Sequence, residues 1–300
     1  MCIRDRRYIA QSALQQGHEV LCLTNSISRP NPLQLPIAPL SWQNPTALVE
    51  SLKTCDVLIN TYWVRFDHTH FTHQEAVEHT CILFHAAKTA GLKRIVHVSI
   101  TKPDETSPLP YFQGKALLEK ELEKNELPHS ILRPAVLFGE TPAESILLNN
   151  MAWAMRHFPF VGYFGDGSYC LQPIHVQDFA ELALQEAQRE DQENVIIQAI
   201  GPETYTFKEL FTILGKAIGK PRPLISVPKF LGYTVTKCVG LLHHDVMLTK
   251  EEIIGLMENR LAVKDASPAG QTKLSTWIQQ YAETLGQVYA SELSRRDLHS

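Results

Sequence analysis

The chain has 300 residues, of which 44% are hydrophobic and 20% are charged, and its formal net charge is -4. This composition is typical of a folded protein with one large core or two smaller ones, and it excludes a disordered chain. The basic residues form no patch and no zinc-finger spacing appears, so nucleic acid is not an expected ligand. The six cysteines are scattered along the chain without a Cys-x-x-Cys pair. This pattern is typical of buried, reduced thiols in a reducing compartment.

The sequence predicts no membrane-spanning segment. The most apolar stretch, residues 227–242, contains Lys229 and Lys237 and is short for a span, so it predicts an amphipathic helix. A cytoplasmic location is therefore expected, with docking of this stretch on a membrane surface as the alternative.

The first six residues, Met1 to Arg6, do not fit the pattern that follows. They resemble the translation of a transposase adapter used in sequencing libraries, so residues 1–6 are expected to be a non-native scar. From residue 7 onwards, helically spaced apolar residues predict a helix that Gly17 ends, and residues 19–24 predict a strand.

Helices and strands then alternate along the chain. Asn44 and Pro45 predict a helix start, and residues 55–60 predict a strand. A helix with an apolar stripe over residues 76–87 precedes a central strand that ends at Ser99. Further strands are predicted at 130–134 and 195–201. This alternation predicts an α/β fold with a Rossmann-type, doubly wound parallel sheet.

A serine, a tyrosine and a lysine follow the central strand at a chemically useful spacing. Ser99 ends the strand, Tyr111 opens the next helix twelve residues later, and Lys115 lies one helical turn further. A phenol titrates near pH 10, and an adjacent cation favours its anion, so this pair suits proton transfer. The serine hydroxyl can hold the substrate oxygen that receives the proton.

This constellation resembles the catalytic site of the short-chain dehydrogenase/reductases, and in particular their extended or atypical branch of the NAD-dependent epimerase/dehydratase type. The resemblance covers nearly all of residues 7–290. It implies that Tyr111 is the acid/base, that Ser99 donates to the substrate oxygen, and that Lys115 lowers the pKa of Tyr111 and holds the nicotinamide ribose. NADP or NAD is the implied cofactor, bound with an unknown small-molecule substrate.

The family's first strand and its glycine-rich turn, which hold the pyrophosphate, are missing before the first helix. Roughly a dozen N-terminal residues are therefore expected to be lost, and this truncated chain is expected to bind the dinucleotide poorly. A relative that never had the turn is the alternative.

The predicted cofactor residues lie after strands, where parallel sheets bind ligands. The loop after residue 24 offers small polar groups and one cation instead of an acidic residue, which favours NADP weakly. The predicted cofactor contacts are Thr24, Asn25, Ser26, Arg29, Asn60, Thr61, Tyr62, Lys115, Arg133, Pro134 and Val136. The last three belong to a segment, residues 133–139, that resembles the family's Arg-Pro…Phe-Gly stretch beside the nicotinamide.

Substrate contacts are predicted from an aromatic and basic segment and from an insertion. Arg65 lies in the run Asn-Thr-Tyr-Trp-Val-Arg-Phe, where it can pair with an acidic group. Asn149, Asn150 and Tyr163 lie in the insertion that supplies the family's substrate lid, and a structural role is the alternative for each. No metal site is predicted, because nothing closes a ligand shell around His68, whose neighbours His70 and His73 are typical of a solvated loop.

The predicted elements and the family resemblance together divide the chain into two domains. Residues 7–139 and 173–201 are predicted to form the NAD(P)-binding domain, and residues 140–172 and 202–290 a smaller, mainly helical substrate or lid domain. A homodimer is one assembly that the sequence allows.

Two functions of different class follow. The first is an NAD(P)-dependent oxidoreductase or epimerase/dehydratase, favoured because Tyr-x-x-x-Lys is intact. The second is a non-catalytic NADP(H)-binding regulator or assembly protein, similar to NmrA-like regulators and to the accessory subunit of respiratory complex I.

Overall fold

The structure is a computed structural model, and it describes residues 3–25, 31–68, 71–228, 245–246 and 249–291. The chain forms two compact units. We call Met1–Pro134 with Phe179–Gln198 the sheet unit, and Ala135–Asp178 with Ala199–Ser300 the C-terminal unit.

The sheet unit alternates strands with helices, as predicted. Its elements are α1 (Ile3–Gln15), β1 (Cys22–Thr24), β2 (Ile37–Pro39), α2 (Pro45–Leu52), β3 (Val57–Asn60), α3 (His73–Ala90), β4 (Arg94–Val98), α4 (Pro110–Lys124), β5 (His129–Pro134), α6 (Val176–Ala187, from its fourth residue) and β10 (Val195–Ala199, to its fourth residue).

Two parallel sheets form in the sheet unit. The larger sheet has the order β10-β5-β4-β3, and the β3–β4 and β4–β5 pairs are parallel. The smaller sheet pairs β1 with β2, also in parallel. Parallel neighbours need a crossover connection, which the intervening helices supply. This arrangement is the predicted Rossmann-type α/β fold.

Local signals explain several helix ends. Asn44 caps α2 by accepting a hydrogen bond from Ala47 N, and Pro45 takes the first helical position. Gly91 ends α3 with φ = 81°, a left-handed conformation that glycine adopts without steric cost. The predicted start of α2 is thus confirmed.

The core of the sheet unit lies between the sheet and the layer of α2, α3 and α4. All five residues of β4 are buried, as expected for a central parallel strand. Leu48, Phe84, Ile95 and Leu118 belong to one cluster with less than 1% exposure each. This packing holds the carboxyl ends of β3 and β4 in place.

The C-terminal unit is built from short sheets and helices. Its elements are β6 (Val136–Phe138), a 3-10 turn (Pro142–Glu144), α5 (Ile146–His157), β7 (Val161–Phe164), β8 (Cys170–Leu171), β9 (Pro173–His175), β11 (Tyr205–Thr206), α7 (Phe207–Ala217), β12 (Leu224–Val227), α8 (Lys250–Met257) and α9 (Leu274–Gln280). The pairs β6–β9 and β7–β12 are parallel, and β8–β11 is antiparallel.

Capping boxes at Thr206 and Thr249 begin α7 and α8. Asp178 and Glu181 have the spacing of a capping box but do not form one, because Asp178 lies inside α6. Its carboxylate instead accepts hydrogen bonds from the backbone N–H groups of Gln271 and Thr272 at 2.6 and 2.7 Å.

The amphipathic helix predicted over 227–242 lies almost wholly outside the described residues. Within the described ranges, no helix is both long enough and apolar enough to cross a bilayer.

Candidate functional site

Two buried polar side chains meet at the carboxyl end of β3. Asn60 Nδ2 donates to His97 Nδ1 over 3.0 Å, and Asn60 Oδ1 accepts from Tyr62 N at 3.0 Å. The second bond fixes which end of the Asn60 amide is oxygen, so His97 carries its proton on Nε2. Both residues are at least 98% buried, and burial holds the pKa of His97 well below its ordinary value.

The Ser99 hydroxyl is bound to a carboxylate. It donates to Glu119 Oε1, and Glu119 in turn receives two hydrogen bonds from the Arg133 guanidinium, one of them from Nε at 3.0 Å. Ser99 and Glu119 are buried, and Arg133 is half-buried. A serine has one hydroxyl hydrogen, so in this arrangement Ser99 can accept a hydrogen bond from a ligand but cannot donate one.

Tyr111 and Lys115 lie one turn apart on α4, and both contact Trp63. The Tyr111 ring packs edge-on against Trp63, with ring centroids 5.7 Å apart. Lys115 Nζ lies 4.2 Å from the centre of the Trp63 ring. Gly114 makes this approach possible, because a Cβ there would stand 2.7 Å from the indole. The spacing predicted for the tyrosine and the lysine is thus realised around one indole ring.

The Lys115 ammonium points into the protein. Nζ donates to the carbonyl oxygen of Val98 at 2.6 Å, and no part of the residue is exposed. Burial lowers the pKa of Lys115 to about 7, although the negative charges of Asp5 and Glu119 act in the opposite direction. The lowered pKa leaves Lys115 less fully protonated near neutral pH, which weakens its ability to favour a Tyr111 anion.

The predicted cofactor residues Asn25 and Tyr62 meet in the sheet unit. Asn25 makes a side-chain hydrogen bond to Tyr62, and the Tyr62 hydroxyl lies 2.9 Å from His79 Nδ1. Trp42 stacks on His79 with ring centroids 4.4 Å apart. Thr24 is the last residue of β1, next to Asn25.

The remaining predicted cofactor and substrate residues lie after β3 and in or near β5 and β6. Thr61 is buried directly after β3, and Arg65 is half-buried with its guanidinium carbon 5.8 Å from the centre of the Phe66 ring. Pro134 closes β5, and its carbonyl accepts from Thr101 N. Val136 opens β6 in the C-terminal unit. Ser26 and Arg29 lie outside the described residues.

The side chains of the predicted substrate residues Asn149 and Asn150 form hydrogen bonds with the backbone of residues 286–290 in the C-terminal unit. Asn149 donates to Val288 O and accepts from Gly286 N, and Asn150 bonds both N and O of Ala290. These contacts support the structural alternative.

Arg156 and Tyr163 also make contacts within the C-terminal unit. Arg156 binds the carbonyls of Ala282 and Leu285. Tyr163 is buried, with Lys208 Nζ 4.8 Å from its ring centre.

Sequence reasoning missed two members of the site, His97 and Glu119, and it included Trp63 only as part of the aromatic run at 60–66. Glu119 follows Lys115 by four residues, so the spacing Tyr-x-x-x-Lys-x-x-x-Glu already placed its side chain on the same helical face. His97 gave no comparable signal, because its role comes from its contact with Asn60 on the neighbouring strand.

The described residues fit the adenosine end of a dinucleotide better than the nicotinamide end. Asn25 and Tyr62 place amide and hydroxyl groups near the carboxyl ends of β1 and β3, where a cofactor ribose lies in such folds. No acidic residue occurs from Thr24 to Asn31, which suits a phosphorylated ribose. Lys115 fits less well, since its amine is bound to Val98 O. Within the described ranges, no three His, Cys, Asp or Glu side chains are grouped to hold a metal ion.

Curated relatives are similar over much of the chain. The mitochondrial NADH dehydrogenase [ubiquinone] 1 alpha subcomplex subunit 9 of Arabidopsis thaliana is 25% identical over 221 residues, which cover 69% of this chain and 54% of that protein. The photosystem II assembly factor Ycf39 of Synechocystis sp. is 22% identical over 92% of this chain and 86% of its own length. The chain thus spans about half of the first relative and most of the second.

Solved structures show the same fold. Citrobacter sp. triphenylmethane reductase, in complex with NADP(H), superposes with a TM-score of 0.74 at 15% identity and covers 93% of this chain and 96% of its own. The UDP-glucose 4-epimerase of Thermotoga maritima, with UDP-glucose, gives a TM-score of 0.66 at 15% identity, with 98% and 96% covered.

The sequence model of the NAD dependent epimerase/dehydratase family matches residues 7–199, which is more than half of the chain. This match confirms the family resemblance, and the solved structures confirm the Rossmann-type fold. The chain belongs to the NAD-dependent epimerase/dehydratase family.

Proposed function

We propose that this protein binds NADP(H) or NAD at the carboxyl ends of β1, β3 and β4 and serves as an accessory or assembly protein without turning the cofactor over. One observation carries the proposal: the only hydroxyl hydrogen of Ser99 is donated to Glu119. A reductase of this family would need that hydrogen for the substrate oxygen. Freeing it would break a charge-assisted hydrogen bond in a buried site.

Two further points support this role. Lys115 donates to Val98 O instead of pointing towards a ribose, and its lowered pKa weakens its support for a Tyr111 anion. The relatives named above include a complex I subunit and an assembly factor, and an accessory role agrees with both names. A cytoplasmic location, a homodimer and a small-molecule substrate stay predictions from the sequence.

An enzyme is the second candidate, favoured by the placement of Tyr111 and Lys115 on one turn around Trp63. In that case Tyr111 would give its proton to the substrate oxygen. A bound nicotinamide would supply the hydride.

The test compares the full chain with Tyr111→Phe, and uses Tyr281→Phe as a control on a tyrosine of the C-terminal unit. Titration calorimetry measures NADPH and NADH binding. Absorbance at the reduced-nicotinamide band measures turnover with aldehydes, ketones and triphenylmethane dyes. We expect equal binding by all three proteins and no turnover that depends on Tyr111. Turnover that falls about 100-fold or more only in Tyr111→Phe would establish the enzyme instead.

A further inference from the structure

His79, a half-buried histidine of α3, lies among aromatic side chains of the sheet unit. Its ring stacks on Trp42, with the ring centroids 4.4 Å apart and the planes 5° from parallel. Phe71 and Tyr62 pack on the same imidazole, with centroids 6.2 and 6.1 Å away. Trp42 follows β2 and Tyr62 follows β3, so these rings lie near the carboxyl ends of two strands. Contact with three aromatic rings restricts the orientation of the imidazole.

Hydrogen bonds connect His79 to the predicted cofactor loop. Asn25, the residue after β1, bonds to the Tyr62 side chain, and the Tyr62 hydroxyl lies 2.9 Å from His79 Nδ1. Of the two neutral groups, the phenol is the stronger acid and the imidazole the stronger base, so Tyr62 donates its hydrogen to His79. Asn25 must then donate an amide hydrogen to the Tyr62 oxygen. In this state Tyr62 has no hydrogen left for a ligand. We call Asn25, Tyr62 and His79 the relay.

A proton on His79 reverses the bond between His79 and Tyr62. Histidinium has a donor on both ring nitrogens, so Nδ1 then donates to the Tyr62 oxygen and the hydroxyl hydrogen becomes available. The charged groups that act on His79 are Glu75 and Glu78, both on α3. Burial lowers the pKa of His79, and the two carboxylates offset this only in part. The ring is therefore mostly neutral at neutral pH and gains its proton in mildly acidic solution.

We propose that His79 sets the preference between NADP(H) and NAD(H) by controlling whether the Tyr62 hydroxyl can donate to the cofactor. The extra ribose phosphate of NADP(H) is an anion that needs hydrogen-bond donors, and the adenosine ribose lies after β1 in folds of this kind. With a neutral His79, Tyr62 offers this phosphate only an oxygen. With a protonated His79, the relay offers a hydrogen and a nearby positive charge. This role of His79 rests on the proposed cofactor site and names the group that regulates it.

Titration calorimetry of the full chain with NADPH and with NADH, from about pH 8 to about pH 6, tests this role. The measured quantity is the Kd for NADH divided by the Kd for NADPH. The cofactor phosphate itself titrates at about pH 6, so the ratio is compared at each pH with that of Tyr62→Phe, in which only the hydroxyl is missing. Relative to Tyr62→Phe, the ratio of the unaltered chain should rise about fivefold or more as the pH falls, because proton binding and phosphate binding favour each other reciprocally.

His79→Phe separates this role from a structural one. The phenyl ring can keep the stack on Trp42 but accepts no hydrogen bond from Tyr62, so the hydroxyl hydrogen is available at every pH. NADPH binding at high pH should therefore become about tenfold tighter, the gain of one hydrogen bond to a charged group, while NADH binding stays the same. His85→Phe makes the same change on an exposed histidine of α3 and should alter neither affinity.

Three results would overturn the proposal. One is a cofactor ratio with the same pH dependence in the unaltered chain, in His79→Phe and in Tyr62→Phe. Another is weaker binding of both cofactors to His79→Phe at every pH, which would give the imidazole a packing role only. The third is no binding of either cofactor to any of these proteins, which would refute the cofactor site as well. Turnover that depends on Tyr111 contradicts only the accessory role, because it does not change these ratios.

Discussion

Lys115 occupies an unusual place for a cation. It is fully buried, its amine has one hydrogen-bond acceptor in Val98 O, and the Trp63 ring covers it. An ammonium has three donors, and burial without a full set of acceptors disfavours the charged form. The carboxylates of Asp5 and Glu119 offset this only in part, so the pKa falls to about 7.

We expect the free energy of unfolding to rise with pH between about 7 and the ordinary lysine pKa of 10.5. In this window the unfolded chain keeps the proton on Lys115 while the folded chain has lost it. The unfolded state then binds more protons, and stability increases by up to about 1.4 kcal/mol per pH unit. Below pH 7 both states are protonated and the slope from Lys115 vanishes.

Urea unfolding from about pH 7 to about pH 9 measures this slope. Lys115→Met removes the titrating group and should flatten the pH dependence, whereas Lys124→Met, on an exposed lysine of α4, should leave it unchanged. An identical slope in the chain and in Lys115→Met would show that Lys115 keeps its proton in the folded state.

Among the elements, α5 holds a neighbouring segment by hydrogen bonds from its side chains to the backbone of that segment. Asn149 and Asn150 form four hydrogen bonds to the backbone of Gly286, Val288 and Ala290, which leads away from α9. Gly286 has φ = 73° and packs closely on Ala152, so the chain turns there against α5. The two asparagines therefore anchor the segment that follows α9.

Replacing Asn149 and Asn150 by alanine should release residues 284–291. Each loss leaves buried backbone groups unsatisfied, at about 1–3 kcal/mol per group, so amide exchange of this segment should become faster while exchange in β4 stays the same. Hydrogen exchange with mass spectrometry measures both. Thr212→Ala, which removes one exposed hydroxyl bond on α7, is the control. Unchanged exchange at 284–291 would leave the two side chains available for a substrate.

Local signals decided which elements were predictable. Asn44, Gly91, Thr206 and Thr249 each act within one helical turn, and the helix start predicted from Asn44 is confirmed. The capping box from Thr72 to Glu75 begins α3 and was missed, although its spacing stands in the sequence. The strand predicted over 19–24 is shorter, Cys22–Thr24, because strand limits depend on the partner, here β2.

In the candidate site, too, only the features that depend on local spacing could be predicted. The helical spacing of Tyr111 and Lys115 could be read directly, because it depends on α4 alone. Helical spacing also places Glu119 on the face of Lys115, but the contacts of Glu119 with Ser99, and of Lys115 with Trp63 and Val98, depend on how α4 packs in the unit. Such contacts depend on side-chain volume, since a Cβ at Gly114 would stand only 2.7 Å from the Trp63 ring, and no local pattern encodes them.

At the scale of the whole molecule, the two units divide the predicted cofactor contacts unequally. All of the described contacts except Val136 lie in the sheet unit, at or after β1, β3, α4 and β5. Each unit has its own hydrophobic cluster. A ligand that binds the sheet unit should therefore stabilise that unit more than the C-terminal unit.

We expect NADPH to slow amide exchange at residues 60–62 and 98–101 and to leave α7 and α9 unaffected. A ligand that binds only the folded state raises the free energy of opening by about 2.7 kcal/mol at 100 times its Kd, and only for openings that destroy its site. Hydrogen exchange with and without NADPH measures this, with Asn60→Ala as the variant in which the Tyr62 and His97 contacts are lost and protection should weaken. Equal protection in both units would mean that the cofactor site includes the C-terminal unit. If residues 60–62 gain no protection, the cofactor does not bind at the carboxyl ends of β3 and β4.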